Sequence, residues 1–359
     1  MCGIFAYSGD RDDAPALVFE GIKQLEYRGY DSWGISYLPG NKKQFITEKH
    51  LGKIGQASLH NLETSSLAIG HTRWATHGGV TINNTHPHFD PDEKLALVHN
   101  GIVENYQQLK NELERKSYKF VSETDSEVVV NLIADYLKEN DFLHASQKAI
   151  QKITGCNAFV IVNKESQEII GYKTGSPLVV GKNDNGFFFA SDPTAISQHC
   201  QFVHYLFDGE LVLLQKHGAA IFNCDDLSKK SFKWEKLDFS NEDIGKNGFE
   251  HFLLKEAFEQ PAVIKRIAEN LHPHIEKFAQ NLDKENYFVG CGSAYHAALI
   301  GRYLFGKIAN KSVQAFIGSE FYSMRNLCRP QSFTTFISQS GETIDIVEQA
   351  QFFKKNNLG

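Results

Sequence analysis

Two rhythms divide the chain, and the change between them constrains its fold more than any figure of composition. From Cys2 to about Ser240, apolar residues come in short β-type runs over 3–7, 33–38, 67–71, 95–99, 158–163, 169–173, 178–181, 186–190, 210–215 and 220–223. Apolar spacing of i, i+3, i+4 predicts helices over 15–26, 106–116, 126–139 and 145–153. Many strands separated by turns, with helices in pairs, predict sheets packed together with helices outside. After Asn286 the order becomes strand, polar turn, helix: 287–290, Gly292-Ser293-Ala294 and 295–309, then 333–338, Gln339-Ser340-Gly341-Glu342-Thr343 and 344–355. With 313–316 as a further strand, these units predict a doubly wound α/β domain. Between the two rhythms, 239–248 shifts to Asn, Asp, Lys and Gly and reads as a linker. Helical spacing follows over 250–258 and 262–271, with Pro261 between them expected to force a break or a helix start. The expected domains are 2–240, a linker and helical segment over 241–284, and a partial domain over 285–359. That last stretch is short for a complete doubly wound domain, so the chain is expected to be truncated after Gly359.

At 359 residues the chain exceeds one ordinary core, and its 42% apolar content supports globular domains. Thirty-seven basic against 43 acidic residues, a net charge of -6 and no dense Lys/Arg run give a nucleic-acid or membrane-surface role no electrostatic support. The cysteines at 2, 156, 200, 224, 291 and 328 form no Cys-x-x-Cys pair and no cluster with His at ligand spacing. Neither a zinc site nor a disulfide scaffold is expected, and a reducing cytosol fits best. His86 and His88, in His-Pro-His, lack acids or cysteines at ligand spacing, so they carry no metal expectation. The N-terminus has no basic segment followed by an apolar core, and no run approaches about 18 apolar residues.

The second residue brings chemistry. A small residue at position 2 lets Met1 be trimmed, leaving Cys2 as the N-terminus. Its thiol then sits beside its own α-amine, which titrates at roughly 7.7 to 8.0 and can take the thiol proton. Hydrolysing a carboxamide also requires oxyanion donors and a clamp for the α-amino acid end. His99-Asn100-Gly101 suits the first task, because glycine admits close approach of a backbone N–H while the Asn amide donates as well. Arg73 offers a planar fork for a carboxylate, and Asp125 can accept from an ammonium. Taken singly these features have plainer readings: Asn-Gly as a turn after a strand, Trp74 as a core aromatic, Arg28 and Asp31 as a structural ion pair.

Taken together, Met1-Cys2-Gly3-Ile4, Tyr27-Arg28-Gly29-Tyr30-Asp31-Ser32, His71-Thr72-Arg73-Trp74-Ala75-Thr76-His77-Gly78, His99-Asn100-Gly101 and Ser122-Glu123-Thr124-Asp125 resemble the N-terminal-cysteine (class II) glutamine amidotransferases. The rest of the chain resembles the sugar-binding half of the glucosamine-6-phosphate synthases within that superfamily. The resemblance covers essentially all 359 residues. It implies an α+β N-terminal-nucleophile fold, a four-layer α-β-β-α sandwich, followed by a partial α/β doubly wound SIS domain. It implies Cys2, Asn100 and Gly101 as catalytic residues, Arg73, Thr76, His77 and Asp125 around glutamine, and Trp74 as a gate for ammonia.

In the sugar half, the turns at strand-to-helix junctions suit phosphate, since helix N-termini present free N–H groups. Ser338, Gln339, Ser340 and Thr343 match the family's sugar-phosphate motif, and Ser293 keeps a hydroxyl in the first turn. Where the family reads Cys-Gly-Thr-Ser, this chain reads Cys291-Gly292-Ser293-Ala294, and the lost hydroxyl predicts weaker fructose 6-phosphate binding. The implied chemistry is hydrolysis of glutamine to glutamate and ammonia, which family members use to convert fructose 6-phosphate to glucosamine 6-phosphate. No cofactor is implied, and the full-length relative is expected to be a homodimer. The Lys, His and Glu that open and isomerise the sugar lie beyond Gly359 in the family, so they have no counterpart here. Two alternatives remain: an amidotransferase with another acceptor, and a noncatalytic sugar-phosphate-binding or regulatory remnant. The Ser338–Thr343 turn argues against the first, and the joint presence of Cys2, Arg73, Asn100 and Asp125 against the second.

Overall fold

The computed structural model describes residues 2–40, 42–216, 218–237, 247–270, 272–281, 283–329, 331–339, 341 and 343–358. The chain divides into two compact units, Met1–Ile244 and Gly245–Gly359. Of the expected linker at 239–248, residues 239–246 lie outside the described residues.

The first unit contains β1 (Gly3–Gly9), β2 (Ser32–Tyr37), β3 (Ile46–Leu51), β4 (Leu67–Arg73), β5 (His88–Phe89), β6 (Leu95–Gly101), β7 (Asn157–Asn163) and β8 (Ile169–Thr174). It continues with β9 (Val179–Asn183), β10 (Gly186–Ala190), β11 (Phe202–Tyr205), β12 (Glu210–Gln215), β13 (Gly218–Asn223), β14 (Lys229–Lys230) and β15 (Glu235–Lys236). Its helices are α1 (Ala14–Gln24), α2 (Tyr106–Arg115), α3 (Ser126–Leu137), α4 (Phe142–Ile150) and the short α5 (Pro193–Ile196). One antiparallel sheet runs β15-β11-β9-β10-β1-β4-β2-β3 and the other β14-β13-β12-β8-β7-β6-β5.

Alternation along the strands makes the layers. Ile4 and Ala6 of β1 share a buried core with Ala96 and Val98 of β6 and Val160 of β7, so that core lies between the sheets. Phe5 and Tyr7 point the other way and pack with Leu17, Val18 and Ile22 of α1. On the far side, Leu95 and Leu97 of β6 pack with Val129 and Ile133 of α3 and Ala149 of α4. The result is the helix-sheet-sheet-helix sandwich. Because both faces of β1 are covered, its residues 3–7 read as one apolar run, and Ser8 after them is buried as well. Gly70 of β4 lets α1 settle close, since a Cβ there would stand 2.7 Å from Val18 Cγ1 and 2.8 Å from Ile22 Cγ2.

The second unit has α6 (Phe252–Asn270), α7 (His272–Ala279), β16 (Asn286–Gly290), α8 (Ser293–Leu304), β17 (Val313–Ile317), α9 (Gly318–Met324), β18 (Phe333–Ile337) and α10 (Ile344–Lys355). The break expected at Pro261 does not occur: α6 runs through it. Proline removes one intrahelical hydrogen bond, but Leu253, Ala257, Ile264 and Ile267 keep one apolar stripe in phase across it, so the pattern on both sides favours a single helix. The three strands are parallel, in the order β17-β16-β18. Tyr287, Phe321, Ile346 and Phe353 fill the core on one side, and Phe288, Ala298 and Val313 form another.

Candidate active site

Strand direction brings the first unit's chemistry together. β1 runs antiparallel to β4 with Gly3 opposite Thr72, so the start of β1 lies beside the end of β4. That places Cys2 next to Arg73 and Trp74. The Trp74 N–H lies 3.3 Å from Cys2 Sγ, and the Trp74 carbonyl 3.5 Å from it. The end of β6 arrives from the other sheet: Asn100 Nδ2 donates to the Cys2 carbonyl at 3.1 Å and to Ser191 Oγ at 2.8 Å. The Arg28 Nε also donates to the Cys2 carbonyl, at 3.0 Å. The main chain of Cys2 is therefore held by two side chains. Gly101 has φ +129, and a Cβ there would stand 2.1 Å from the Cys156 carbonyl oxygen, so only glycine fits this turn.

Cys2 is coupled to its surroundings electrostatically. Burial pushes its thiol above the ordinary value, while the Trp74 N–H, the N-terminal charge, Arg73 and Arg28 pull it down. Arg73 is 3% exposed. Its guanidinium donates to the Gly79 carbonyl at 3.0 Å, and to the His77 carbonyl. Asn84 pins this carbonyl cradle, donating to Gly79 O and to Glu123 Oε2, both at 3.0 Å. Among the described residues Arg73 makes no ion pair. Asp125, also buried, stands just before α3 and accepts from the Val103 N–H at 2.7 Å.

A narrow crevice is lined by Cys2, Arg73, Trp74, Thr76, His77 and Asp125, among others. An adjoining one of about 280 Å³ is lined by Cys2, Arg28, Trp74, Thr76, Asn100 and Gly101, among others. The first-unit residues expected from sequence thus line these two crevices together. A larger crevice of about 360 Å³, between Asp90–Lys94 and Lys116–Lys119, holds no cysteine or histidine, and its Lys116 and Lys138 are paired with Asp135. Trp74 is 42% exposed with its ring edge-on to Tyr30, which sets it at the mouth rather than in the core.

The ion pair expected between Arg28 and Asp31 gives way to other partners. Arg28 pairs with Asp192 at 3.8 Å, while Asp31 accepts from the Ala75 N–H at 2.8 Å and so braces the segment after Arg73. Sequence reasoning missed a buried group of histidines behind the site. His71, His86, His88 and His99 are all 3% exposed or less, and burial lowers the pKa of each, to about 3 for His71. His86 lines the narrow crevice, and neither of its ring nitrogens has a hydrogen-bond partner among the described residues. It also missed Ser191, which follows β10 with no motif around it. Among the described residues, no group of three or more His, Cys, Asp or Glu is placed to hold a metal ion, and no helix is long and apolar enough to cross a membrane.

In the second unit, β16 and β18 are adjacent and parallel with Gly290 opposite Ile337, so the turns that follow them emerge at one edge. Ser293 opens α8 from one turn. In the other, Ser338 Oγ lies 3.2 Å from Thr343 Oγ1 and accepts from the Gly341 N–H at 3.0 Å. Gln339 is exposed there, and Ser340 lies outside the described residues.

Residues 71–198 match the glutamine amidotransferase domain family, and residues 283–359 the SIS domain family. The chain is 37% identical to the glutamine–fructose-6-phosphate aminotransferase (isomerizing) of Fusobacterium nucleatum, over 99% of this chain and 60% of that protein. It is 39% identical to the enzyme of the same name from Clostridium acetobutylicum, over 96% of this chain and 58% of that protein. The chain thus spans about 60% of the length of the curated relatives it matches. Among solved structures, the allosteric regulatory enzyme of purine biosynthesis aligns with a TM-score of 0.55 at 27% identity, covering 62% of this chain and 49% of that one. The glutamine phosphoribosylpyrophosphate amidotransferase from B. subtilis shares the fold, with a TM-score of 0.54 at 21% identity, covering 88% of this chain and 65% of that one.

Proposed function

The chain belongs with the glutamine amidotransferases that carry a SIS domain, and its curated relatives are glutamine–fructose-6-phosphate aminotransferases; from that premise we propose that it hydrolyses glutamine at Cys2 for hexosamine synthesis. The observation that carries this reading is Arg73, a buried guanidinium whose hydrogen bonds among the described residues all go to carbonyl oxygens, beside a cysteine at a strand start and across from a buried carboxylate. A buried cation with no ion pair among the described residues favours an anionic ligand. The α-carboxylate of glutamine supplies that charge at Arg73, its ammonium faces Asp125, and Thr76 and His77 line the pocket.

With Met1 removed, the α-amine of Cys2 takes the thiol proton as sulfur attacks the side-chain carbonyl carbon. The oxyanion that forms is met by Asn100 Nδ2 and the Gly101 N–H. In the resting site Nδ2 donates to the Cys2 carbonyl and Ser191, and the new oxyanion shares the Cys2-directed hydrogen without the amide turning. Collapse breaks the C–N bond, the ammonium of Cys2 gives the proton to the leaving ammonia, and water then hydrolyses the γ-glutamyl thioester. In this reading Trp74 gates the ammonia, and the acceptor is fructose 6-phosphate, held at Ser293, Ser338, Gln339 and Thr343, with Ser340 in the same turn. A cytosolic location fits a thiol that must stay reduced, and a homodimer is the assembly the reading carries.

The test is glutamate release from glutamine, with and without fructose 6-phosphate, on protein whose N-terminus is confirmed as Cys2 by mass spectrometry. Turnover that disappears in Cys2→Ala supports the reading. A processed chain without turnover sinks it and leaves a noncatalytic sugar-phosphate-binding role.

A further inference from the structure

The two ends of the Asn100 amide differ in chemistry but not in shape, and its use as a donor depends on which end faces Cys2. Its neighbours decide the orientation. His71 Nε2 lies 2.9 Å from the His99 carbonyl oxygen and 3.0 Å from Asn100 Oδ1. A carbonyl oxygen only accepts, so Nε2 must carry a hydrogen, and the Asn100 atom sharing that hydrogen must accept as well. Nδ2 is thereby sent the other way, toward the Cys2 carbonyl and Ser191 Oγ. Ser191 is itself fixed, because its Oγ accepts from the Ile4 N–H at 2.8 Å.

His71 is suited to this task by its place. It is fully buried in β4, two residues before Arg73, with its ring centroid 4.0 Å from that of His86. Burial lowers the ring's pKa to about 3, so the ring is neutral and its single hydrogen sits on Nε2, while Nδ1 has no partner among the described residues.

We infer that His71 is a positioning residue whose Nε2–H holds the Asn100 amide with Nδ2 toward Cys2, so that the oxyanion donor is oriented before glutamine binds. The inference rests on the reading of Asn100 as that donor. Without His71 the amide loses the donor on its Oδ1 and keeps only the Cys2 carbonyl and Ser191 as orienting partners, and the flipped form would set Oδ1 against a developing negative charge.

Glutamate release by the processed chain, with kcat and KM resolved, tests it through two variants. His71→Phe keeps the ring's bulk and loses the donor, whereas His71→Gln places an amide N–H near the Nε2 position. His71→Phe is expected to lower kcat by about ten- to a hundredfold, within the cost of losing an oxyanion donor. KM for glutamine should stay within about twofold, because Arg73 and Asp125 are untouched, and His71→Gln should recover most of the loss. In an Asn100→Ala background His71→Phe should cost almost nothing further. An unchanged kcat in His71→Phe overturns the inference, and so does a loss that persists in full in the Asn100→Ala background. Long-range ¹H–¹⁵N spectra of the histidine-labelled chain, with the His71 signals identified by their absence in His71→Gln, supply a readout apart from turnover. A neutral Nε2–H tautomer between pH 6 and 8 is expected; an Nδ1–H tautomer or an imidazolium overturns the inference. If turnover is absent and the Nε2–H tautomer is present, the glutaminase reading fails and the held amide stands.

Discussion

At the scale of the residue, the tension is in Cys2: the proposed reaction needs a thiolate, and burial favours the thiol. A raised pKa means that less thiolate exists at neutral pH than in a free cysteine, so reactivity should climb as pH rises toward the thiol's pKa. Alkylation of Cys2 by iodoacetamide, followed by mass spectrometry, should show a midpoint above the ordinary thiol value of roughly 8.5. Arg73→Met should move it higher still, because the Arg73 charge is among the influences that lower it. A midpoint below the ordinary value would show that the nearby positive charges outweigh burial. Cys2 was legible in the sequence by its place directly after Met1, and Arg73 and Asn100 because each sits in a string of polar and glycine residues at a strand end. The partners that orient them were less so. His71 lies within such a string but reads there as part of a strand, and Ser191 reaches Asn100 from 91 positions away, through a packing of the two sheets that no local pattern encodes.

At the scale of the element, β4 does two jobs: its end carries Arg73 and its middle seats α1. Gly70→Ala would push a methyl group against Val18 and Ile22, whose β-branched side chains have little freedom to move aside. The cost is expected to be about 1–3 kcal/mol of unfolding free energy, measured by urea denaturation. The histidines behind β4 and β6 add a pH dependence whose sign follows from their depressed pKa values. An unfolded histidine binds a proton below about pH 6.5, whereas buried His71 resists it down to about 3. Stability is therefore full above about pH 6.5 and falls as pH drops through the window below it, by about 1.4 kcal/mol per pH unit for each proton taken up. Among the described residues His86 has no side-chain hydrogen bond to lose, so His86→Phe should flatten this slope by one proton's worth without removing a polar contact. Urea titrations between pH 5 and 7.5, followed by tryptophan fluorescence, check it; an unaltered slope would mean that His86 takes up a proton without unfolding. The core strands were readable because burial on both faces leaves continuous apolar runs. The edge strand β3 was not: Thr47, Glu48, Lys49 and His50 are only half-buried, and their ladder with β2 rests on backbone hydrogen bonds that carry no side-chain signature. Pro261 misled for the converse reason, since a local rule about one missing hydrogen bond was outweighed by an apolar stripe running past it.

At the scale of the whole molecule, each unit holds its own cores, and the proposed chemistry divides the same way, with the glutamine residues in the first and the sugar-phosphate residues in the second. The family resemblance was legible from end to end because both halves place their proposed site residues beside strand ends, where glycines and hydroxyls stand out from apolar runs. What the pattern does not give is affinity. In the second unit Ser338 already spends its oxygen on the Gly341 N–H and sits against Thr343, so a phosphate must compete with contacts the turn makes with itself. The neighbouring turn, which opens α8, is where a further hydroxyl would help, and Ala294 offers none. The Ala294 N–H is held by the Cys291 carbonyl at 3.1 Å, so the backbone there is set independently of the side chain. Ala294→Ser should therefore add a hydroxyl without remaking the turn. One hydrogen bond of about 0.5–1.5 kcal/mol corresponds to roughly two- to tenfold tighter binding of fructose 6-phosphate, read by titration calorimetry. Glutamate release in the absence of sugar should be unchanged in the same variant, since nothing in the first unit's site is altered. Tighter binding with unchanged basal hydrolysis would tie the sugar to the turns after β16 and β18. An affinity that does not move would mean that the α8 turn does not face the sugar in this chain, and would take Ser293 out of the proposed site with it.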